Sequence, residues 1–415
     1  MKKKMILFLL IQALAFSEEI TLDEMLNILD KTSYQNKIYN IQNQIDNDTE
    51  KYHKLGDFNG IVTTVDSNYS DVEDEFQTTG RLEYGPFYLE GIKNYNTDDE
   101  IIYGVEKNIK DIIYSSDKNQ LKKLEYTKNI NNLEYRKNIE NQKIQLINLY
   151  EEYINNYLGI KIKENGIKTL EKEEEKMSKA YSLGAVAKIE LDSIKCSINN
   201  LKIEIQVLKN NLENIKKIFS YNFAIEIGEK TLKEIIAPKI NIDEYINNYG
   251  EKDIEILEKQ KSILEEDIKY MNYTNNMPDI SIGLEHSNRY DENRVVLKFS
   301  KSLFDLDLDL ETGKNNLSQQ EIEIEQKKSE NNGEKLQIYN TYDEYMKNYI
   351  VNKNNSELEL SKYNVKKLEY SLGKVDYLEV MESFNNYLNY EIESEKAKNN
   401  LNGYIYEIMI RGEKK

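Results

Sequence analysis

Two stretches of this sequence match each other: Tyr181-Ser182-Leu183-Gly184-Ala185-Val186, followed by Glu190-Leu191, and Tyr370-Ser371-Leu372-Gly373-Lys374-Val375, followed by Glu379-Val380. The two stretches start 189 residues apart and keep the same spacing from tyrosine to glycine to acid. A glycine just beyond a helix adopts the left-handed conformation that ends it. Each stretch therefore predicts a turn between two helices, and the pair predicts an internal duplication.

Long helices are predicted on both sides of each turn. Proline is absent from about residue 117 to 183 and from about 307 to 372. At 1.5 Å per residue, the first of these runs gives a helix of about 100 Å. The helix after the first turn has a coiled-coil seam, because its apolar residues alternate steps of four and three. The seam comprises Ile194, Ile198, Leu201, Ile205, Leu208, Leu212 and Ile215. A capping box of Asp376 and Glu379 is predicted after the second turn.

A region of β character precedes each long helix. In the first half we predict strands at about 81–94 and 100–109, and in the second half at about 279–286 and 294–304. Apolar and polar residues alternate along them, as in a strand between lipid and a wet lumen, although any half-buried strand alternates in this way. A further strand candidate near 60–65 has no assigned place. Pro86 favours an edge or a bulge.

The beginning of the chain has the pattern of a secretory signal peptide. Three lysines precede a short apolar run that ends in small residues, so residues 1–17 are predicted to be the signal. A capping box of Thr21 and Glu24 marks the start of the first helix. The duplication then predicts two structural repeats, 18–237 and 238–415, with Pro238 at the break.

The composition excludes several classes of protein. Hydrophobic residues make up 39%, charged residues 31%, and the formal net charge is −18, which argues against nucleic-acid binding. The single cysteine excludes an intramolecular disulfide framework. The two histidines are far apart in sequence, and no nucleophile motif is present. We therefore expect no enzyme activity, no cofactor and no metal.

Over its mature length the sequence resembles the TolC-like outer-membrane efflux proteins. The resemblance rests on Ile20–Glu24, Met277–Ile282, Ser302–Asp305 and the repeated Tyr-x-Leu-Gly-x-Val turn. It implies a mainly α protomer with a small β part, of which three copies form a twelve-stranded barrel and an α-helical periplasmic tunnel. It also implies an outer-membrane location, contact with outer-membrane lipid, and partners in a periplasmic adaptor and an inner-membrane pump.

The resemblance also implies functional residues at the turns. The tunnel constriction would contain Glu190, Tyr370, Glu379 and Glu382, and three-fold symmetry would make each acid a ring that selects cations. The family's basic partner of this gate falls on Val375. The adaptor would contact the exposed turns, at Gly184, Ala185, Val186, Gly373, Lys374 and Val375.

One alternative stays open at this stage. A periplasmic or surface coiled-coil protein without a pore, structural or adhesive, would explain the helices and the signal, but not the duplicated strand pairs. The sequence does not identify the exported cargo, so both efflux and type I secretion stay open.

Overall fold

The computed structural model describes residues 19–70, 75–94, 98–302 and 307–413. The predicted signal peptide, residues 95–97 of the predicted turn and the end of the predicted 294–304 strand lie outside these ranges. The helices are α1 (Leu22–Thr32), α2 (Tyr34–Leu55), α3 (Ile109–Tyr114), α4 (Ser116–Ser182), α5 (Lys188–Phe223), α6 (Ile242–Asn248), α7 (Glu251–Asn276), α8 (Leu308–Ser371) and α9 (Tyr377–Arg411).

The helix predictions are confirmed in their order and nearly in their bounds. Helix α4 has 67 residues and α8 has 64. The capping box at α1 is present, since Glu24 N donates to the Thr21 hydroxyl and Thr21 N donates to the Glu24 carboxylate. Helix, strands, long helix, turn and helix therefore occur twice, which confirms the mainly α, duplicated fold class. Within the described ranges, every helix is too polar or too short to span a bilayer.

The strands form two sheets. A short parallel pair joins β1 (Glu19–Ile20) to β6 (Thr231–Leu232). The large sheet is antiparallel throughout, in the order β2-β3-β4-β5-β7-β8. Its strands are β2 (Ile61–Ser70), β3 (Glu75–Tyr84), β4 (Phe87–Asn94), β5 (Glu100–Asn108), β7 (Asp279–Ser287) and β8 (Glu292–Ser300).

The first half of the chain contributes more strands than the sequence predicts. The candidate near 60–65 is the start of β2, a full strand of ten residues. The prediction of one strand over 81–94 is wrong, because the chain reverses at Gly85 and Pro86. Gly85 has φ +60°, the left-handed region that a two-residue hairpin turn of this kind needs. The sheet thus takes four strands from the first half and two from the second.

The chain divides into two compact units, and each draws on both predicted repeats. One unit contains the residues up to Lys37 together with Arg136–Glu251 and those from Glu330 onward. The other contains Ile38–Tyr135 and Lys252–Ser329, and hence the whole large sheet. The repeat boundaries 18–237 and 238–415 stay a prediction.

The first unit has a continuous apolar core along α4, α5, α9 and α1. Its seam residues Ile194, Ile198, Leu201 and Ile205 are buried, as the periodicity predicts. Tyr150 lies at the centre, fully buried, and its hydroxyl donates to the carbonyl oxygens of Ile20 and Lys233. These bonds connect the β1–β6 pair to the long helix.

Candidate functional site at the two helix turns

Both turns have the same backbone geometry. Gly184 has φ +72° and Gly373 has φ +69°. In each turn the amide after the glycine donates to a carbonyl five residues back, from Ala185 to Ala180 and from Lys374 to Glu369, both at 2.9 Å. This is the hydrogen-bond pattern of a Schellman helix end, which requires the left-handed residue. The duplicated sequence therefore gives a duplicated structure.

A hydrogen bond joins the two hairpins that these turns close. The hydroxyl of Tyr370, in the last turn of α8, donates to Oε2 of Glu190 in the first turn of α5, at 3.1 Å. Burial and then this bond raise the pKa of Tyr370 to about 12, so the hydroxyl keeps its proton. The Tyr370 ring packs edge-on against the buried Tyr377, with 5.0 Å between ring centroids. Two of the predicted site residues are thus in direct contact.

Glu379 pairs with a lysine that the sequence analysis did not identify. Nζ of Lys366 lies 2.9 Å from Oε2 of Glu379 and 3.2 Å from Oε2 of Glu369. These two carboxylates raise the pKa of Lys366, with Glu379 as the larger cause. A positive charge therefore faces Glu379 from α8, although Val375 stands at the family's basic position.

The predicted capping box of Asp376 and Glu379 is wrong. Asp376 is the N-cap residue of α9 with extended backbone, but its side chain accepts no capping bond. The Glu379 carboxylate cannot reach back to the cap, because it is engaged with Lys366 on the opposite helix. In the first turn, Ala187 is the corresponding cap and also makes no side-chain bond.

Glu382 lies one turn beyond Glu379 and is exposed. Both acids line a shallow groove between α8 and α9, together with Lys362 and Lys366. Residues three apart on a helix share a face, so the two carboxylates lie on the same side of α9. The sequence prediction that they share a face is confirmed.

A second ion pair joins the hairpins one turn before Tyr370. Nζ of Lys367 lies 2.8 Å from Oε1 of Glu173 on α4, and Lys176 also reaches Glu173, at 3.1 Å. Burial would raise the pKa of Glu173, but the bonds to Lys367 and Lys176 outweigh it and lower that pKa. Sequence reasoning missed this pair as well.

The turn residues differ in accessibility. Gly184, Ala185, Gly373 and Lys374 are exposed. Val186 and Val375 are only half-buried rather than fully exposed, and Val186 packs against the apolar core. The part of each turn that is open to a partner is therefore its glycine and the residue after it.

A second surface of the chain has an unusual character. One face of the large sheet consists mainly of exposed aliphatic and aromatic side chains, on alternating positions of every strand. In register across the strands, these are Ile61, Val65, Tyr69, Phe76, Leu82, Tyr84, Phe87, Leu89, Ile101, Tyr103, Ile282, Leu284, Val295, Leu297 and Phe299. Polar residues and glycines interrupt this apolar face at Thr63, Ser67, Thr78, Gly80, Gly91, Lys93, Lys107, His286 and Asn293.

The opposite face of the sheet is mainly polar and carries cross-strand ion pairs. Arg81 pairs with Glu90 at 3.1 Å, and Lys298 pairs with Glu106 at 2.8 Å. The phenol of Tyr88 donates to Glu285 at 2.7 Å. A strand that lies between lipid and water needs one apolar face and one polar face, and this sheet has both.

Comparison with known proteins identifies the class of fold. No protein-family model matches the sequence, and no curated protein matches it by sequence. Among solved structures, the outer-membrane channel OprN is 12% identical with a TM-score of 0.67, over 94% of this chain and 90% of that one. The outer-membrane protein VceC of Vibrio cholerae is 10% identical with a TM-score of 0.67, over 94% and 96%.

A third structure, of CusC, is 10% identical with a TM-score of 0.66, over 95% of this chain and 92% of that one. The chain therefore has the fold of the TolC-like outer-membrane channels over almost its whole length.

Proposed function

We propose that the chain is one protomer of an outer-membrane exit duct, serving a tripartite efflux or a type I secretion system. The observation that carries this proposal is the apolar face of the large sheet, which is exposed on all six strands of a chain with a channel fold. Exposed apolar patches of this extent are rare on soluble monomers and mark contact with a membrane or a partner. Lipid is the occupant that suits a sheet whose other face is charged.

The duct would be a homotrimer whose sheets span the outer membrane and whose long helices form a periplasmic tunnel. Transport through it is passive, since the chain supplies a path and an inner-membrane pump supplies the energy. Glu190, Tyr370, Glu379 and Glu382 form the gate in this proposal. The hydrogen bonds Tyr370–Glu190 and Lys366–Glu379 support it, because both join helices beside the two turns.

The ends of the turns would receive the periplasmic adaptor. Gly184, Ala185, Gly373 and Lys374 are exposed and lie on two rigid helix ends of equal geometry. A partner with paired, pseudo-symmetric contacts fits such a surface. Val186 and Val375 contribute less area, because they are half-buried.

The alternative of a coiled-coil protein without a pore is less suited to these observations. Such a protein has no use for an exposed apolar sheet face, which would aggregate in water. Phe299 and Val295, for example, are 69% and 76% exposed.

The test is purification of the full-length protein from bacterial membranes in detergent, followed by reconstitution in planar bilayers. A heat-modifiable trimer with discrete conductance steps is expected. A monomer that stays in solution without detergent and gives no conductance would contradict the proposal and favour the coiled-coil alternative.

A further inference from the structure

The number of strands per chain changes the architecture expected of the assembled duct. Four strands per protomer would give a twelve-stranded barrel from three copies. The sheet here has six strands. The question is whether the hairpin formed by β2 (Ile61–Ser70) and β3 (Glu75–Tyr84) belongs to the barrel wall.

The hairpin pairs with the rest of the sheet along its full length. Strands β2 and β3 share ten register positions, from Ile61 with Tyr84 to Ser70 with Glu75. Strands β3 and β4 share eight, from Gln77 with Asn94 to Tyr84 with Phe87. At ten residues each, β2 and β3 also have the length of a membrane-spanning strand, about 9–11 residues.

The apolar face extends onto this hairpin, where Thr63, Ser67, Thr78 and Gly80 alternate with its apolar residues. Ile61 and Val65 on β2 are about 70% exposed, and Leu82 and Tyr84 on β3 about half exposed, on the same face as the aliphatic residues of β7 and β8. Aromatic residues stand at both ends of β3, Phe76 at one and Tyr84 at the other. Their separation of eight residues is about 27 Å along the strand, which suits two aromatic girdles around a lipid-facing band.

The turn between β3 and β4 is held against the helical end of the sheet. The ring of Phe58, just before β2, packs edge-on to Tyr84 at 5.4 Å between centroids. A Cβ on Gly85 would lie 2.5 Å from that ring, so only glycine fits there. The carbonyl of Pro86 accepts a bond from Glu106 N on β5 at 2.8 Å. The hairpin is therefore built into the wall rather than projecting from it.

Strands β2 and β8 form the two edges of the sheet, and they run in opposite directions because five antiparallel pairings separate them. An open sheet edge is not tolerated in lipid, since its backbone amides and carbonyls would lack partners. The edge β8 of one copy can pair antiparallel with β2 of the next. On the polar face β2 carries Asp66, while β8 carries Glu292, Arg294 and Lys298 and so has one net positive charge, opposite in sign to Asp66.

We propose that β2 of each copy pairs with β8 of its neighbour, and that three copies close an eighteen-stranded barrel. The number of copies, three, is taken from the proposed function, on which this inference rests. Barrel diameter grows roughly in proportion to strand number, so the ring would be about 1.5 times as wide as a twelve-stranded one. Barrels of 16–18 strands leave an open aqueous lumen, which would place the narrowest point of the path at the helix turns.

The test is disulfide cross-linking between copies in a Cys196→Ser background of the full chain. Thr64→Cys on β2 is combined with Arg294→Cys, Val296→Cys or Lys298→Cys on β8, because successive positions on one face sample the possible registers. The matched control is Ile92→Cys on β4 with the same partners. In a twelve-stranded barrel that excluded the hairpin, β4 would be the edge that meets β8.

Oxidation is expected to give covalent dimers and trimers with at least one Thr64 combination and none with Ile92. Projection images of the purified trimer should show the wider ring. Cross-links from Ile92, or a conducting trimer without any link from Thr64, would overturn the eighteen-stranded barrel and leave the duct in place. A monomer without conductance would overturn both.

Discussion

The hydroxyl of Tyr370 donates a hydrogen bond to Glu190 over 3.1 Å, which ties the end of α8 to the start of α5. The two residues are 180 positions apart and belong to different halves of the duplication. Their equivalents by the repeat are Tyr181 and Glu379, but Tyr181 is exposed and Glu379 pairs with Lys366 instead. Equivalent positions of the two repeats therefore make different contacts in the structure.

Removing the Tyr370 hydroxyl should favour the open duct. A hydrogen bond to a carboxylate contributes about 1.5–3 kcal/mol when buried. Because this one is only half-buried, we expect about 1 kcal/mol, or about a fivefold rise in the ratio of open to closed states for Tyr370→Phe. Single-channel recordings measure the ratio of open to closed states. Tyr181→Phe is the matched control and should leave gating unchanged; equal behaviour of the two variants would show that the bond has no role.

The acids after the second turn should set ion preference. Glu379→Gln together with Glu382→Gln removes six carboxylates from a trimer, and fixed negative charge in a constriction is what attracts cations. The double variant should show higher conductance and a lower ratio of cation to anion permeability. Reversal potentials in asymmetric KCl give that ratio. An unchanged current and reversal potential would refute the role of these residues.

Lys366 should reduce the preference of the duct for cations. Its ammonium lies 2.9 Å from Glu379, so Lys366→Gln leaves the carboxylate uncompensated and should raise cation permeability. Lys362→Gln is the control, because Lys362 pairs with Glu359 at 2.7 Å one turn earlier. If both variants shift the reversal potential alike, the effect is one of general charge and not of the Glu379 pair.

The turns and the long helices were predictable from the sequence, because each depends on a local pattern, whereas the gate role of the acids after the turns stays a prediction. Gly184 and Gly373 are required by a left-handed backbone, and that requirement is visible in sequence. The contacts of Lys366 and Lys367 were not visible. In a chain with 31% charged residues, a basic residue thirteen positions from an acid is unremarkable until the turn brings the helices together.

The error at 81–94 has a different cause. Leu82 and Tyr84 are followed by Phe87 and Leu89, so the alternation shifts by one residue across Gly85 and Pro86. That shift, and not only the proline, was the available signal for a hairpin. The candidate near 60–65 has no place in a pattern of two strands before each long helix. The full length of β2 is not visible in the sequence, because positions 66–68 are polar on both faces and show no alternation.

Two helical glycines should respond in opposite ways to alanine. A Cβ on Gly403 in α9 would overlap the carboxylate of Glu151 on α4, at 1.4 Å from Oε1. Because the flexible Glu151 side chain must leave this position, Gly403→Ala should destabilise the protein by about 1 kcal/mol, the low end of the cost of overpacking. Within the described residues nothing lies within 4 Å of a Cβ on Gly333 in α8, so Gly333→Ala should stabilise by about 0.5–1 kcal/mol.

Denaturation midpoints of the two alanine variants measure this difference. If the clash is the cause, Glu151→Ala should rescue much of the loss in Gly403→Ala, and the two substitutions should not be additive. Destabilisation by Gly333→Ala, or full additivity of the pair, would contradict the account.

Glu151 should also make stability depend on pH. Burial between α4 and α9, and then the charge of Glu407, raise its pKa from 4.5 to about 8. Below pH 4.5 the folded and unfolded chains both hold the proton. Between pH 4.5 and 8 only the folded chain holds it, so this group's contribution to stability falls as pH rises. Above pH 8 the loss is complete, on the order of 2 kcal/mol because water still reaches a partly exposed carboxyl.

Glu151→Gln keeps the shape of the side chain and removes the titration. The variant should match the parent protein in thermal midpoint near pH 4.5 and exceed it by several degrees at pH 8.5. Glu152→Gln, an exposed neighbour on the same helix, is the control and should follow the parent at both pH values. Thermal unfolding of the detergent-solubilised protein by circular dichroism measures the difference. A Glu151→Gln variant that tracks the parent protein from pH 4.5 to 8.5 would show that the carboxyl is already ionised at neutral pH.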